Sequence, residues 1–118
     1  MTKHKETGIK GELIAQNFLQ KKGYQILYTN WRNGQKEIDI ITTINTLLVF
    51  VEVKTRANYN YGYPEEAVTP KKQTFLKAAA EAFLLENPKY EEVRFDIISI
   101  LLEKDTVKEI KHIEDAFF

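Results

Sequence analysis

Glu37-Ile38-Asp39-Ile40-Ile41 and Leu47-Leu48-Val49-Phe50-Val51-Glu52-Val53-Lys54-Thr55-Arg56, with a short polar turn between them, decide how this chain folds. Both runs are apolar enough to be core strands, yet they carry three acids and a lysine at positions a core strand fills with apolar residues. Burying charge is costly unless the charge is paired or holds a metal. A chain that places charges there either compensates them locally or uses them.

Side chains alternate faces along a strand. Glu52, Lys54 and Arg56 therefore share a face with Leu48 and Phe50, and Leu47, Val49, Val51 and Val53 share the other. In the earlier run Glu37, Asp39 and Ile41 share a face. If Asn45-Thr46 forms a two-residue hairpin loop, Ile44 pairs with Leu47. Counting back, Asp39 then lies opposite Glu52, and Glu37 opposite Lys54. Carboxylates opposite one another on a sheet repel. In a half-buried site, either one proton is retained or a cation sits between them. Oxygen ligands of this kind suit Mg²⁺, which takes one or two carboxylates and otherwise keeps water or substrate phosphate. Lys54, on the same face, is placed to orient a water or stabilise an oxyanion. The plainer alternative is a charged strand end with Glu37 and Lys54 as an ordinary ion pair.

Outward from these strands, the chain of 118 residues is long enough for one compact domain spanning 1–118. It has no cysteine, which excludes disulfides, thiolate metal sites and a cysteine nucleophile. No apolar run is long enough to cross a bilayer, and Met1-Thr2-Lys3-His4-Lys5 is followed by no signal-peptide core. A cytoplasmic protein without a membrane partner is expected. Formal net charge is zero, but residues 1–36 hold seven Lys/Arg against two acids, whereas residues 86–118 hold five against nine. Polyanion binding needs a local positive surface more than a positive total. The same asymmetry is also compatible with an ordinary solvated surface.

Residues from about Thr7 to Lys22 carry Ile9, Leu13, Phe18 and Leu19 near helical spacing, with Gly23 at the αL position beyond. The glycine-bearing first turn leaves room for a later start. A second stripe, Gly8, Gly11, Glu12, Ala15 and Leu19, lets another backbone approach closely. It turns Glu12 either inward to the sheet or into the role of a first-turn acid. Gly23 to Arg32 is a strand, with Trp31 expected in the core and Asn33-Gly34 as a hairpin turn into the Glu37 strand.

Ala57 to Glu66, with Tyr59, Tyr61 and Tyr63, is a loop whose rings either stack on nucleotides or pack over the sheet end. Thr69-Pro70 opens a second helix with Phe75, Leu76, Ala79, Ala80, Phe83 and Leu84 as its apolar face. Lys71 and Lys72 stand in its first turn, where basic residues are unfavourable without an anion. Glu92 to Leu102 is a strand buried on both faces, on which Arg94 and Asp96 can pair. Lys104-Asp105 turns it into an edge strand at Val107–Ile110, and Phe117-Phe118 are expected to pack down. The fold class is α/β, a mixed sheet of about five strands flanked by helices in the order α-β-β-β-α-β-β.

Glu12 on a helix, Asp39 on a hairpin strand and Glu52-Val53-Lys54 on the next resemble the PD-(D/E)XK, restriction-endonuclease-like superfamily. The longer set is similar to the bacterial YraN-like family of predicted endonucleases, relatives of Holliday junction resolvases. It comprises Gly8-Ile9-Lys10-Gly11-Glu12, Asn30-Trp31-Arg32, Glu37-Ile38-Asp39-Ile40-Ile41, Phe50 to Arg56, Glu66-Ala67-Val68 and Arg94-Phe95-Asp96, and covers nearly the whole chain.

The resemblance implies a restriction-endonuclease-like core and hydrolysis of phosphodiester bonds in nucleic acid, with branched or structured DNA as the substrate class. It implies Mg²⁺ or Mn²⁺ held by Asp39, Glu52 and the Val53 carbonyl. Lys54 would position the attacking water, Glu12 would assist, and the chain would be a homodimer. Ile38 stands where the superfamily motif has proline. A nucleic-acid substrate further requires a basic face beside the acids, for which Arg32, Arg56, Lys71, Lys72 and Lys77 are the candidates. Two readings compete: a nucleic-acid-binding module of the same fold with little cleavage of its own, and an interaction domain whose acids form ordinary ion pairs.

Overall fold

The Asn45-Thr46 loop sets the register that its length requires. Strand β2 (Lys36–Ile44) pairs antiparallel with β3 (Leu47–Arg56) from Ile44↔Leu47 to Ile40↔Val51, with Asn45 at φ +54°. Before it, β1 (Gln25–Asn33) runs antiparallel to β2. The turn between them lies one residue later than expected. Asn33 pairs with Lys36, so the loop is Gly34-Gln35, with Gly34 at φ +64° in the first loop position. A glycine at that position is what a type II′ hairpin demands.

The computed structural model describes residues 3–57 and 68–118. The tyrosine loop expected at Ala57–Glu66 lies almost wholly outside the described residues. Helix α1 (Lys3–Lys21) starts earlier than expected and ends before Gly23 at φ +93°. Helix α2 (Pro70–Glu86) is capped by Thr69, whose Oγ1 accepts from the Lys72 N–H at 3.2 Å. Strand β4 (Glu92–Glu103) lies parallel to β3, and β5 (Thr106–Ile113) returns antiparallel through the Lys104-Asp105 turn. The sheet order is β1-β2-β3-β4-β5, so the expected mixed five-stranded sheet and element order are present. Strand β5 is an edge strand as expected, but longer. Among the described residues no helix is long and apolar enough to cross a membrane.

Each helix covers one face. Leu48, Phe50, Phe95 and Ile97 pack under α2 with Leu76, Ala79, Ala80 and Phe83. Val49, Val51, Ile98 and Ile100 pack under α1 with Ala15 and Leu19. The two faces of β3 divide as its alternation predicts. On β2 alternation slips: Ile38 and Ile41 both join the α2 layer, while Ile40 joins the α1 layer. The slip coincides with an irregularity on the neighbouring strand. Asn30 falls between the Thr29↔Ile40 and Trp31↔Ile38 pairs, opposite Asp39, and has φ +51°. That left-handed residue turns its side chain to the α1 side and frees Asp39 from regular pairing.

Helix α1 sits close to β3 because Gly11 lacks a side chain; a Cβ there would collide with the Thr55 side chain. On the same face, Asp96 is fully buried and Arg94 grips it with Nε and Nη2, each at 2.7 Å. His112 Nε2 lies 2.7 Å from the same carboxylate, and its Nδ1 lies 2.7 Å from Lys22 Nζ. An ammonium only donates, so His112 accepts at Nδ1 and donates to Asp96 through Nε2. The Asp115 N–H donates at 3.1 Å. Burial pushes the Asp96 carboxyl up, but these donors outweigh it and hold it below the usual carboxylate range. The network ties β4 to β5, to the residues after β5 and to the end of α1.

Candidate active site

The ladder between β2 and β3 stops at Ile40↔Val51, one step before the acids. Beyond it the Val53 N–H donates to Asp39 Oδ2 at 2.8 Å, in place of a strand–strand bond. The strands open at the point where sequence counting sets Asp39 opposite Glu52. The expected Glu37–Lys54 pair does not form. Glu37 pairs with Arg32 across β1 at 3.2 Å, because the β1–β2 ladder continues where the β2–β3 ladder has ended. Lys54 turns instead to Glu52 Oε1, at 3.5 Å.

Glu52 is 4% exposed. A second ammonium, Lys72 Nζ from the first turn of α2, lies 3.7 Å from the same Oε1. The other oxygen, Oε2, is buried with no hydrogen-bond partner. Burial pushes the Glu52 carboxyl up to about 7, Asp39 adds to the shift, and Lys72 and Lys54 oppose it. Burial likewise raises Asp39 against the pull of the Val53 N–H and of Lys72. Two carboxylates that each resist ionisation, beside two lysines and an orphaned buried oxygen, form a site short of positive charge.

Glu12 enters from the α1 side of the sheet. Its Oε2 accepts from Asn30 Nδ2 at 3.2 Å. Its carboxyl is raised by burial, with Asp39 and Glu37 adding to the rise against the Asn30 bond. Glu12 is thus an electrostatic neighbour of Asp39, without direct contact to Glu52 or Lys54. Among the described residues no three acidic or imidazole side chains converge on a single point. The residues that fit a divalent cation are therefore Asp39 and Glu52, and the orphaned Glu52 Oε2 supplies the free lone pairs such an ion requires. Hard oxygen donors of this number suit Mg²⁺ or Mn²⁺.

The expected basic face is assembled only in part. Lys72 stands in the site, Arg32 is beside it through Glu37, and Arg56 and Lys71 are exposed. Lys77 lies elsewhere, its Nζ 5.5 Å from the centre of the Phe118 ring, lining an apolar cavity of about 270 Å³ between α2 and the last residues. Two residues escaped sequence reading. Asn30, in the quoted Asn30-Trp31-Arg32, bonds Glu12, and only its left-handed backbone directs it there. Phe75 was expected in the core but is 50% exposed. The buried stripe of α2 is Leu76, Ala79, Ala80 and Phe83, and Phe75 stands at its edge.

Residues 11–100 match the profile of Uncharacterised protein family UPF0102. The chain is 48% identical to a UPF0102 protein of Chloroherpeton thalassium, over 93% of this chain and 92% of the relative. It is 44% identical to one of Flavobacterium psychrophilum, over 100% and 98%, and 44% identical to one of Syntrophomonas wolfei, over 97% and 99%. Identity at this level over essentially the full length of each relative, together with the profile match, establishes that the chain belongs to the UPF0102 family.

Proposed function

We propose that this protein is a metal-dependent phosphodiester hydrolase acting on nucleic acid, with a restriction-endonuclease-like core. The observation that carries the reading is Glu52: a buried carboxylate with an orphaned oxygen, facing Asp39 and flanked by Lys54 and Lys72, where β2 and β3 part. Glu37 and Lys54 do not form the ordinary ion pair that a purely structural role would favour.

Asp39 and Glu52 would hold the cation, with the Val53 carbonyl as a further ligand by the superfamily resemblance. Mg²⁺ or Mn²⁺, when bound there, neutralises charge on the scissile phosphate and acidifies a water. The Val53 N–H fixes the Asp39 carboxylate. Lys54 orients the attacking water, and Lys72 stabilises the phosphate oxygens as charge builds on them. Glu12, held by Asn30, adds negative potential behind Asp39 and strengthens its hold on a cation. Branched or structured DNA as substrate, and a homodimer as the acting form, follow from the likeness to Holliday junction resolvases.

The test is cleavage of four-way junction, flap, single-stranded and duplex DNA with Mg²⁺ or Mn²⁺. Asp39→Ala and Lys54→Ala should each lower the rate by about 10²-fold or more. Cleavage that survives both substitutions would sink the assignment. The zero formal net charge favours a second reading, a nucleic-acid-binding module with little cleavage of its own. Binding that persists in wild-type protein unable to cut any of these substrates would establish it.

A further inference from the structure

A concave groove of about 580 Å³ runs between the β1–β2 hairpin tip and the first turns of α2. We infer that it is a subsite for an unpaired nucleotide, whose base stacks on Phe75 and whose phosphate is drawn to Lys72. The inference rests on the proposed function in one respect, that the strand held there leads to the phosphate being hydrolysed.

Phe75 supplies the first argument. Leu76, Ala79, Ala80 and Phe83 already fasten α2 to the sheet, and Phe75 contributes a half-exposed ring to the groove wall instead. A half-exposed aromatic ring lining a concavity is a candidate stacking platform for a base. The polar wall supplies the second. Asn33 and Gln35 bring side-chain amides, and Lys36 and Lys72 bring positive charge. The acid lining the groove, Glu37, is paired with Arg32. A phosphate entering the groove therefore meets more positive than negative charge. The third is continuity: Lys72 lines the groove and stands 3.7 Å from Glu52, so a strand held there is already at the acids. The volume lies within the roughly 300–1,000 Å³ of sites that enclose small molecules.

Together these select a substrate class. Bases inside a duplex stack on one another and cannot offer their faces to a side chain without being extruded. A platform beside the cleavage site therefore favours nucleic acid with unpaired nucleotides next to the scissile bond, such as flaps, overhangs and open junctions.

The experiment is fluorescence anisotropy without divalent metal, so that no cleavage intervenes. A blunt duplex is compared with the same duplex carrying a single-stranded overhang. Wild type should prefer the overhang. Phe75→Ala should lose about tenfold in overhang affinity and little in duplex affinity. Phe75→Trp should keep the preference, and its added tryptophan emission should be quenched by the overhang. Leu85→Ala, an exposed apolar residue far along α2, should behave as wild type.

Equal weakening of both ligands by Phe75→Ala, no weakening of either, or no binding of either by wild type would overturn the subsite. So would a wild-type dimer in sedimentation that Phe75→Ala dissolves, which would make the ring a subunit contact. If Phe75 governs overhang binding but no DNA is cut with Mg²⁺ or Mn²⁺, the hydrolase reading fails and the subsite stands. If cutting depends on Asp39 while Phe75→Ala changes nothing, the reverse holds.

Discussion

Glu52 is expected to weaken the fold that contains it. Its Oε2 is buried with no hydrogen-bond partner, and the two lysines near Oε1 are themselves only partly buried. Burial raises the Glu52 carboxyl to about 7, so ionising it at neutral pH opposes folding, a cost that a neutral amide of the same shape does not carry. Glu52→Gln should therefore raise the metal-free thermal midpoint by a few degrees, corresponding to about 1–2 kcal/mol, while abolishing cleavage. Mg²⁺ should raise the wild-type midpoint, since a ligand that binds only the folded state stabilises it, and should leave Glu52→Gln unmoved. Thermal melts of both proteins with and without Mg²⁺ check this, and a lower midpoint for Glu52→Gln would place Glu52 among structural acids. For Asp39 and Glu52 the two-residue loop gave the register that sets them opposite, although the ladder ends one step before them and alternation slips on β2. The sequence was silent on the partner of Lys54. That choice depends on where one ladder ends and another continues.

Among the elements, α1 offers a paired test. Gly8 and Gly11 both lower helix propensity by about 1 kcal/mol relative to alanine. A Cβ at Gly8 meets nothing within 4 Å, whereas at Gly11 it strikes Thr55, a β-branched side chain rooted in β3. Gly8→Ala should stabilise by about 0.5–1 kcal/mol. Gly11→Ala should destabilise by about 1–2 kcal/mol and reduce cleavage, since Glu12 moves with the helix. Urea melts of the two variants decide it; the same sign for both would mean that α1 is not held against β3 at Gly11.

The Asp96 network is open to test through pH. Its folded carboxyl lies below the ordinary value of 3.8, so its contribution is complete above that pH and is lost as the pH falls through the folded value. Asp96→Asn should cost about 3 kcal/mol at neutral pH and should flatten the loss of wild-type stability below pH 3.8. Denaturant titrations across that range measure both effects. The elements themselves were largely legible: hairpin loops of two residues, the Thr69-Pro70 cap and the doubly buried β4 all announce themselves locally. What was not legible depended on tertiary fit. The Asn33-Gly34 signal misplaced its turn by one residue, since Gly34 alone meets the need for positive φ. The apolar spacing of α2 could not reveal that Phe75 faces outward.

The whole molecule carries no net charge, so any grip on a polyanion must come from local arrangement. The fold concentrates cations at one end of the sheet, with Arg32 and Lys36 at the hairpin tip, Lys72 on α2 and Arg56 at the end of β3. Salt dependence reads how many of these meet phosphate. For single strands the slope of log K against log salt is about −0.7 per neutralised phosphate, so Lys36, Lys72 and Arg56, with Arg32 already paired to Glu37, give about −2 for one protomer on an overhang. Lys36→Ala should weaken binding and make that slope shallower by about 0.7, whereas Lys77→Ala, whose ammonium lies over Phe118, should leave it unchanged. If the acting form is the proposed homodimer on a four-way junction, two such surfaces should roughly double the slope. Anisotropy titrations at several salt concentrations separate the cases. A slope near zero would mean that nucleic acid is not held through this surface, and the assembly of cations around the acids would then need another explanation than substrate binding.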